Sequence, residues 1–323
     1  MREKENEKRS RLFATQLMKQ YSGLLLVIIV LFTVISVSNQ NFCTVDNILA
    51  ILRQISIYGV LGIGMGILII NKQLDLTVGA IAGLSAVVGG LVMIKGGGVF
   101  AAIIAAVAAG AILGAVNGIV VAKTGISAFI FTMAMTQVYR GMIYLITDGK
   151  PISPFPDLFL NVNRSSVLGI PIPVIILFII VFIGWVILNK TSLGRKICAT
   201  GGSEVAARYS GINTGRMTIA SFIICGITAG ISGVLLASKL QSAQPTLGTG
   251  LEMDAISVAA IGGISLDGGA GTIGGILLGA IIIGIINNGM IMMGINSYWQ
   301  MIAKGLIIVF AVVFDIIKKK YSK

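Results

Sequence analysis

Seven ionisable side chains fall inside long apolar runs or at their ends: Asp75, Arg140, Glu252, Asp254, Asp267, Lys304 and Asp315. Such groups are costly at membrane depth and mark either a substrate path or a structural pairing. Asp75 and Asp267 stand where apolar segments open, and a carboxylate there caps free N–H groups and complements the helix dipole. Lys304 and Asp315 either snorkel toward an interface or pair with a neighbour. Arg140 lies in "MTQVYRGMIYLITDGKPI" beside Gln137, Tyr139 and Tyr144. That cluster either hydrogen-bonds a polyol or anchors a span near the interface.

The chemistry that is missing narrows the choice further. The chain has no histidine, so it offers no imidazole ligand and no His proton relay. It has no G-x-x-x-x-G-K-[ST] loop with which to hydrolyse ATP, and no G-x-S-x-G nucleophile elbow. Cys43, Cys198 and Cys225 have neither metal-ligand nor disulfide-framework spacing. No metal site, cofactor or enzymatic centre is expected, which leaves a protein whose product is a pathway.

The elements that would frame such a pathway are helices in a membrane. Hydrophobic residues make up 56% of the chain and charged residues 11%, with a mean hydropathy of +0.97. One soluble core of this length cannot account for that composition. The apolar runs approach the roughly 20 residues a helix needs to cross a hydrocarbon layer, and they lack the short alternating segments of a β-barrel. The expected fold is an all-α membrane protein with about ten transmembrane helices, near 21–38, 51–70, 76–94, 99–122, 127–147, 171–189, 217–237, 252–266, 270–292 and 298–317. The eighth has a short apolar stretch, Ala255 to Ile264, and is either a full span or a broken or re-entrant one.

Charge placement orients the spans, because cytoplasmic segments carry the excess of Lys and Arg. Ten spans put both termini inside and assign 17 of the 24 basic residues to that side. Residues 1–20 then form a basic cytoplasmic segment, 21–317 a single membrane domain and 318–323 a basic cytoplasmic tail. Three Glu in the N-terminal segment, and no A-x-A-like site after the first run, favour a retained first span over a signal peptide. The formal charge of +12 is explained by orientation and contact with anionic lipid, without nucleic acid.

Glycine, at 42 residues, is the main structural signal within the spans. The series Gly110-Gly114-Gly118 and Gly271-Gly275-Gly279, and the shorter Gly79-Gly83 and Gly226-Gly230, bare one helix face for close approach. "LDLTVGAIAG" from Leu74 and "LDGGAGTIGG" from Leu266 share L-D-x3-G-x3-G, and Asn117-Gly118 is echoed by Asn288-Gly289. Internal duplication is a habit of transporter folds, and ten full spans would put both Asp motifs on one side.

One polar insert remains, "LGRKICATGGSEVAARYSGINTGR", Leu193 to Arg216, within a predicted cytoplasmic loop at 189–216. After a flexible "ATGG", Ser203 is an N-cap, Ala206 and Ala207 are helix formers, and Gly211 is a stop. A short helix there would present small residues and Arg208 to something outside the membrane. The insert resembles the cytoplasmic loop of ABC-transporter permeases of the simple-sugar import family, the ribose, xylose, arabinose and galactoside group. Gly194, Arg195, Ala199, Gly201, Gly202, Ala206, Ala207, Ser210, Gly211 and Ile212 match that family's pattern, while Ser203 and Cys198 depart from it. "QLDLTVGA", "YRGMIYLITDGKPI", "LEMDAISVAAIGGISLDGGAGTIGG" and "NNGMIMMGINSYWQMIAKGLIIVFAVVFD" carry the resemblance over almost the whole chain.

The resemblance implies a pore subunit in the bacterial cytoplasmic membrane that moves a sugar inward. A separate cytoplasmic ATPase would use ATP and Mg and grip the 203–211 helix, Glu204 and Arg208 included. An extracytoplasmic binding protein would deliver substrate, and a second permease copy or a close relative would complete the path. A neutral sugar needs hydrogen bonds, so Asn71, Gln137, Asn287, Asn288, Tyr298, Trp299 and Gln300 join Asp75, Arg140 and Tyr144 as lining candidates. Three alternatives stay open: a related solute (nucleoside, furanosyl signal or branched-chain amino acid), an ion-coupled secondary transporter, and a membrane scaffold.

Overall fold

The structure, a computed structural model, describes the backbone of residues 21–321 and the side chains of 21–310 and 313. The basic segment 1–20, the charges of the tail and the Asp315 side chain lie outside the described residues. The long apolar runs fold as helices: α1 (Tyr21–Ser38), α2 (Val45–Ile70), α3 (Val78–Ile94), α4 (Val99–Thr124) and α5 (Ala128–Thr147). A short α6 (Asp157–Arg164) and a two-stranded antiparallel ribbon, β1 (Ser166–Val167) with β2 (Ile170–Pro171), lead to α7 (Ile172–Lys190). Then follow α8 (Ser192–Gly202), α9 (Glu204–Tyr209), α10 (Thr214–Leu240), α11 (Leu251–Ile261), α12 (Ile273–Met292) and α13 (Ser297–Tyr321). Seven of these, α1, α2, α4, α5, α7, α10 and α12, are long and apolar enough to cross a membrane, and α3 and the Ser297–Phe310 part of α13 are shorter apolar helices.

Apolar character on every face buries α2, which is packed by α10, α12, α11 and α7 and supplies much of the core, from Ile51 to Ile70. Helix α2 begins six residues before the expected span. Two contact sets mark opposite ends of the bundle. At one end the Gly269 amide donates to the Ile70 carbonyl (2.8 Å), and Tyr21 and Thr272 share a hydroxyl bond (2.9 Å). At the other, Ile152 and Ala243 exchange backbone bonds of 3.0 Å, and the Ser238 hydroxyl donates to the Phe159 carbonyl (2.8 Å).

The eighth expected span, 252–266, needs correction. Helix α11 ends at Ile261 and has 11 residues, about 16 Å at 1.5 Å per residue, or half a hydrocarbon layer. Ala243 lies at one end and Gly269 at the other, so the intervening chain runs from end to end as an irregular half followed by a half-helix. Pro245 and the left-handed Gly248 (φ 80°) and Gly250 (φ 85°) keep the first half from coiling. Gly268 abuts Lys72, so the two L-D motifs do lie at one end.

The expected glycine faces pack as bare surfaces. A Cβ on Gly110 would collide with the Gly226 carbonyl, one on Gly114 with the Phe222 carbonyl, and one on Gly118 would lie 2.9 Å from the Ile219 Cα. Helices α4 and α10 therefore touch backbone to backbone along an antiparallel seam. Gly275 and Gly279 press in the same way on Gly262 and Val258 of the α11 segment. Gly79 and Gly83 pack differently, against the irregular loop at Leu247–Gly248.

Candidate functional site

The polar insert folds as two helices. Thr191 caps α8 by accepting from the Gly194 amide (3.2 Å), and Gly194 lets the chain turn back onto the Ile187 and Leu188 carbonyls of α7. The "ATGG" stretch expected to be flexible is the last turn of α8, with Thr200 and Gly201 buried. A Cβ on Gly201 would strike the Ile70 carbonyl and approach the Gly269 amide, and Gly202 touches Gly269. Glycine is there so that α8 can seat directly on the end of α2. Burial also pushes the Cys198 thiol above its ordinary range, which suits a packed side chain better than a nucleophile.

Helix α9 is mounted on that base. The Ser203 hydroxyl accepts from the Ala206 amide (3.2 Å), as the N-cap reading required, and Gly211 ends the helix at φ 79°. Arg208 pairs with Glu204 (2.6 Å) and donates through Nε to the Thr214 hydroxyl (3.1 Å), which itself donates to Glu204 (3.2 Å). An exposed i,i+4 pair contributes only about 0.3–0.5 kcal/mol, so the cap and the glycines set the shape. Arg195 and Ser210 are exposed, but Ala207, expected to face outward, is 3% exposed because it packs on the body of the protein. The outward apolar pair is Val205 and Tyr209, 65% and 90% exposed. Their i,i+4 spacing, which puts the two largest apolar side chains of the helix on one face, was the available signal.

The lining candidates do not converge on one passage in a single chain. Asn71 is buried and donates to the Thr218 hydroxyl (3.4 Å). Asp75 does not cap α3, whose N-cap is Thr77; its carboxylate accepts from the Thr77 amide (2.7 Å) and hydroxyl. From there Asn117 donates to Thr77 (2.8 Å) and Tyr139 donates to Asn117 (2.8 Å), a buried chain joining three helices. Asp267 lies in the loop ahead of α12, whose N-cap is Thr272.

Asn287 belongs to a second chain. Its amide donates to the Tyr58 hydroxyl (3.0 Å), which also accepts from Gln54 (2.9 Å), while Lys304 binds Asp254 (2.9 Å) on the neighbouring α11. Lys304 therefore pairs rather than snorkels. Asn288 and Asn47 exchange amide bonds of 2.9 and 3.2 Å. Arg140 is half-buried and donates to the Leu247 carbonyl (2.6 Å) beside Gly83, which ties α5 to the irregular half-span. Gln137, Tyr144, Tyr298 and Trp299 are exposed, and Gln300 donates to the Ile295 carbonyl (2.9 Å). Sequence reasoning missed Tyr58, Thr77 and Asn47 because the partners that tie them across helices, Asn287, Asn117 and Asn288, lie tens to hundreds of residues away. Among the described residues no cluster of His, Cys, Asp and Glu could hold a metal ion.

A bundle of apolar helices, seven of them long enough to cross a membrane, with buried polar chains and a capped helix mounted at one end defines a polytopic membrane protein. Comparison with known proteins fixes the family. The branched-chain amino acid transport system / permease component family matches residues 47–312, and the chain belongs to it. The chain is 40% identical over 303 residues to the ribose import permease protein of Escherichia coli (strain K12), covering 93% of this chain and 94% of that one. The corresponding protein of Bacillus subtilis (strain 168) is 39% identical over 298 residues, covering 92% of both chains. The L-arabinose transport system permease protein of E. coli (strain K12) is 34% identical over 301 residues, covering 93% of this chain and 92% of that one. No solved structure matches the chain.

Proposed function

We propose that this chain is the membrane-spanning permease subunit of an ATP-driven importer in the bacterial cytoplasmic membrane and that it moves a simple sugar. Family membership, together with relatives named for ribose and L-arabinose that align from end to end, supports the reading. Ten passes, with both termini on the cytoplasmic side, fit the alternation of helix ends and the split eighth pass.

The observation that carries the mechanism is the mount of α9. Val205 and Tyr209 face outward, while α8 beneath them is seated on Ile70 and Gly269. A cytoplasmic ATPase that takes hold of this pair, using ATP and Mg on its own subunits, would push through α8 on the end of α2 and the loop before α12. Through Thr214 it would also move α10. Backbone contact along the α4–α10 seam leaves the two helices no room to shift against each other, so they can move as one body. Such a cycle alternates access to the path by shifting populations with nucleotide binding energy.

A second copy of the chain completes the path in this reading. Gln137 is exposed halfway along α5, and an amide facing hydrocarbon at that depth is unfavourable. Facing a water-accessible passage between two copies, Gln137 can hydrogen-bond a sugar hydroxyl, with Tyr144 farther along the same helix. Bulk specificity then rests with an extracytoplasmic binding protein. The test is uptake of labelled ribose, allose and L-arabinose by cells lacking their own permeases and supplied with this chain and its transporter partners. Accumulation of one of them, abolished by Gln137→Leu, is expected. Uptake of none of them, with leucine accumulated instead, would overturn the sugar reading.

A further inference from the structure

A cavity of about 360 Å³ opens beneath α9, at the end of the bundle that carries the polar insert. That volume falls in the range of small-molecule sites. Its walls come from five separate parts of the chain. The α2–α3 turn contributes Lys72 and Gln73, the α4–α5 turn with the start of α5 Ser127 and Phe129, α9 Glu204 and Arg208, α10 Thr218, and the α11–α12 loop Leu266.

The charges do not balance. Arg208 is paired with Glu204, whereas Lys72 has no ion-pair partner among the described residues, so the described wall residues carry one positive charge in excess. Lys72 holds a left-handed backbone (φ 60°), where asparagine or glycine is more usual. A lysine kept in that conformation costs on the order of 1 kcal/mol, and strain of this kind collects at functional sites. Thr218 accepts from Asn71, which leaves its hydroxyl proton for an acceptor in the cavity. Phe129 is half-exposed and offers an apolar face, while Gln73 and Ser127 can bond hydroxyls.

We infer that the cavity binds a small hydroxylated phosphate, with the phosphate between Lys72 and Arg208 and the hydroxylated part over Phe129. A bound ligand would tie α9 to the α2–α3 and α4–α5 turns from the side that leaves Val205 and Tyr209 free. It would thereby hold the helix down and slow whatever motion α9 transmits. Two sources share this chemistry: a soluble sugar phosphate and the headgroup of phosphatidylglycerol. The binding claim stands independently of which solute the chain transports.

The test is calorimetric titration of the full chain in phosphatidylcholine nanodiscs with ribose 5-phosphate, ribose and inorganic phosphate, for wild type, Lys72→Asn and Lys72→Arg. Asparagine tolerates the left-handed turn, so the first variant removes the charge and keeps the fold. Ribose 5-phosphate is expected to bind wild type and Lys72→Arg, and to bind Lys72→Asn at least about tenfold more weakly, as loss of a charge-assisted contact requires. Ribose alone is expected not to bind. A second arm adds phosphatidylglycerol to the nanodiscs: lipid retained by wild type and Lys72→Arg but lost from Lys72→Asn, with no binding of ribose 5-phosphate, supports the site with the headgroup as its ligand. Equal affinity in Lys72→Asn, equal binding of ribose, or neither ligand bound in a Lys72-dependent way would overturn the inference.

Discussion

The α4–α10 seam and the α2–α12 seam both join antiparallel helices, by opposite means. The first is held by absence: Gly110, Gly114 and Gly118 meet Gly226 and the backbone around Phe222, and dispersion does the rest. The second is held by polar reach, through Tyr58 with Asn287 and Asn47 with Asn288, and is flanked by Asp254 with Lys304. Backbone contact leaves no room for another arrangement. Hydrogen bonds between amides and hydroxyls can be exchanged for others at small cost, so the polar seam is the more adaptable of the two.

Substitutions can break this contrast, with effects that run from large to small. Gly114→Leu should have the largest effect: overpacking costs about 1–3 kcal/mol where neighbours can yield, and here the obstacle is backbone that cannot turn aside, so the loss should exceed that range and that of the severed ion pair below. Fluorescence-detected size-exclusion chromatography of tagged protein should show most of the folded peak lost. Normal abundance would mean that the glycine seam is not tight.

Asp254→Ala should come next. Removing one member of a buried pair costs about 3–5 kcal/mol, less here because Lys304 keeps 26% of its side chain exposed while Asp254 keeps 4%. Asp254→Leu combined with Lys304→Met should recover most of the melting temperature. A double variant as unstable as the single one would show that the pair is not what matters at this site.

Asn288→Leu should have the smallest effect on folding, since interhelical hydrogen bonds in membranes average about 0.6 kcal/mol. Its thermal midpoint should stay close to wild type while the transport rate changes. A midpoint drop as large as that of Gly114→Leu would erase the distinction between the two seams.

What could be read in advance followed from locality. Apolar runs placed helices close to their observed ends, Gly-x3-Gly series marked the tight faces, and Ser203 and Gly211 bounded α9, because each signal is contained within a turn or two of chain. That the eighth expected span is broken was suspected from a short apolar run, but the irregular stretch was not located, although "QPTLGTG" at 244–250 held the Pro and Gly that prevent a helix there. Asp75 looked like a cap because an acid before an apolar run usually is one; its bond to Thr77 and onward to Asn117 and Tyr139 depends on three elements meeting. The inward turn of Ala207 depended likewise on how α9 lies on the body, which no local spacing specifies. The cavity around Lys72 is assembled from five segments and had no signature at all.

The central claim, that α9 is where an ATPase grips this permease, is tested most directly by tagging the protein and extracting it gently from its native membrane. Mass spectrometry then identifies what co-purifies with wild type and with a Val205→Asp, Tyr209→Asp variant, whose substitutions lie on exposed surface and spare the fold. The account predicts that a P-loop ATPase with two ATP-binding halves accompanies wild type and is lost from the variant at unchanged permease abundance. An ATPase retained in full by the variant, or none found with wild type under mild extraction, would contradict it.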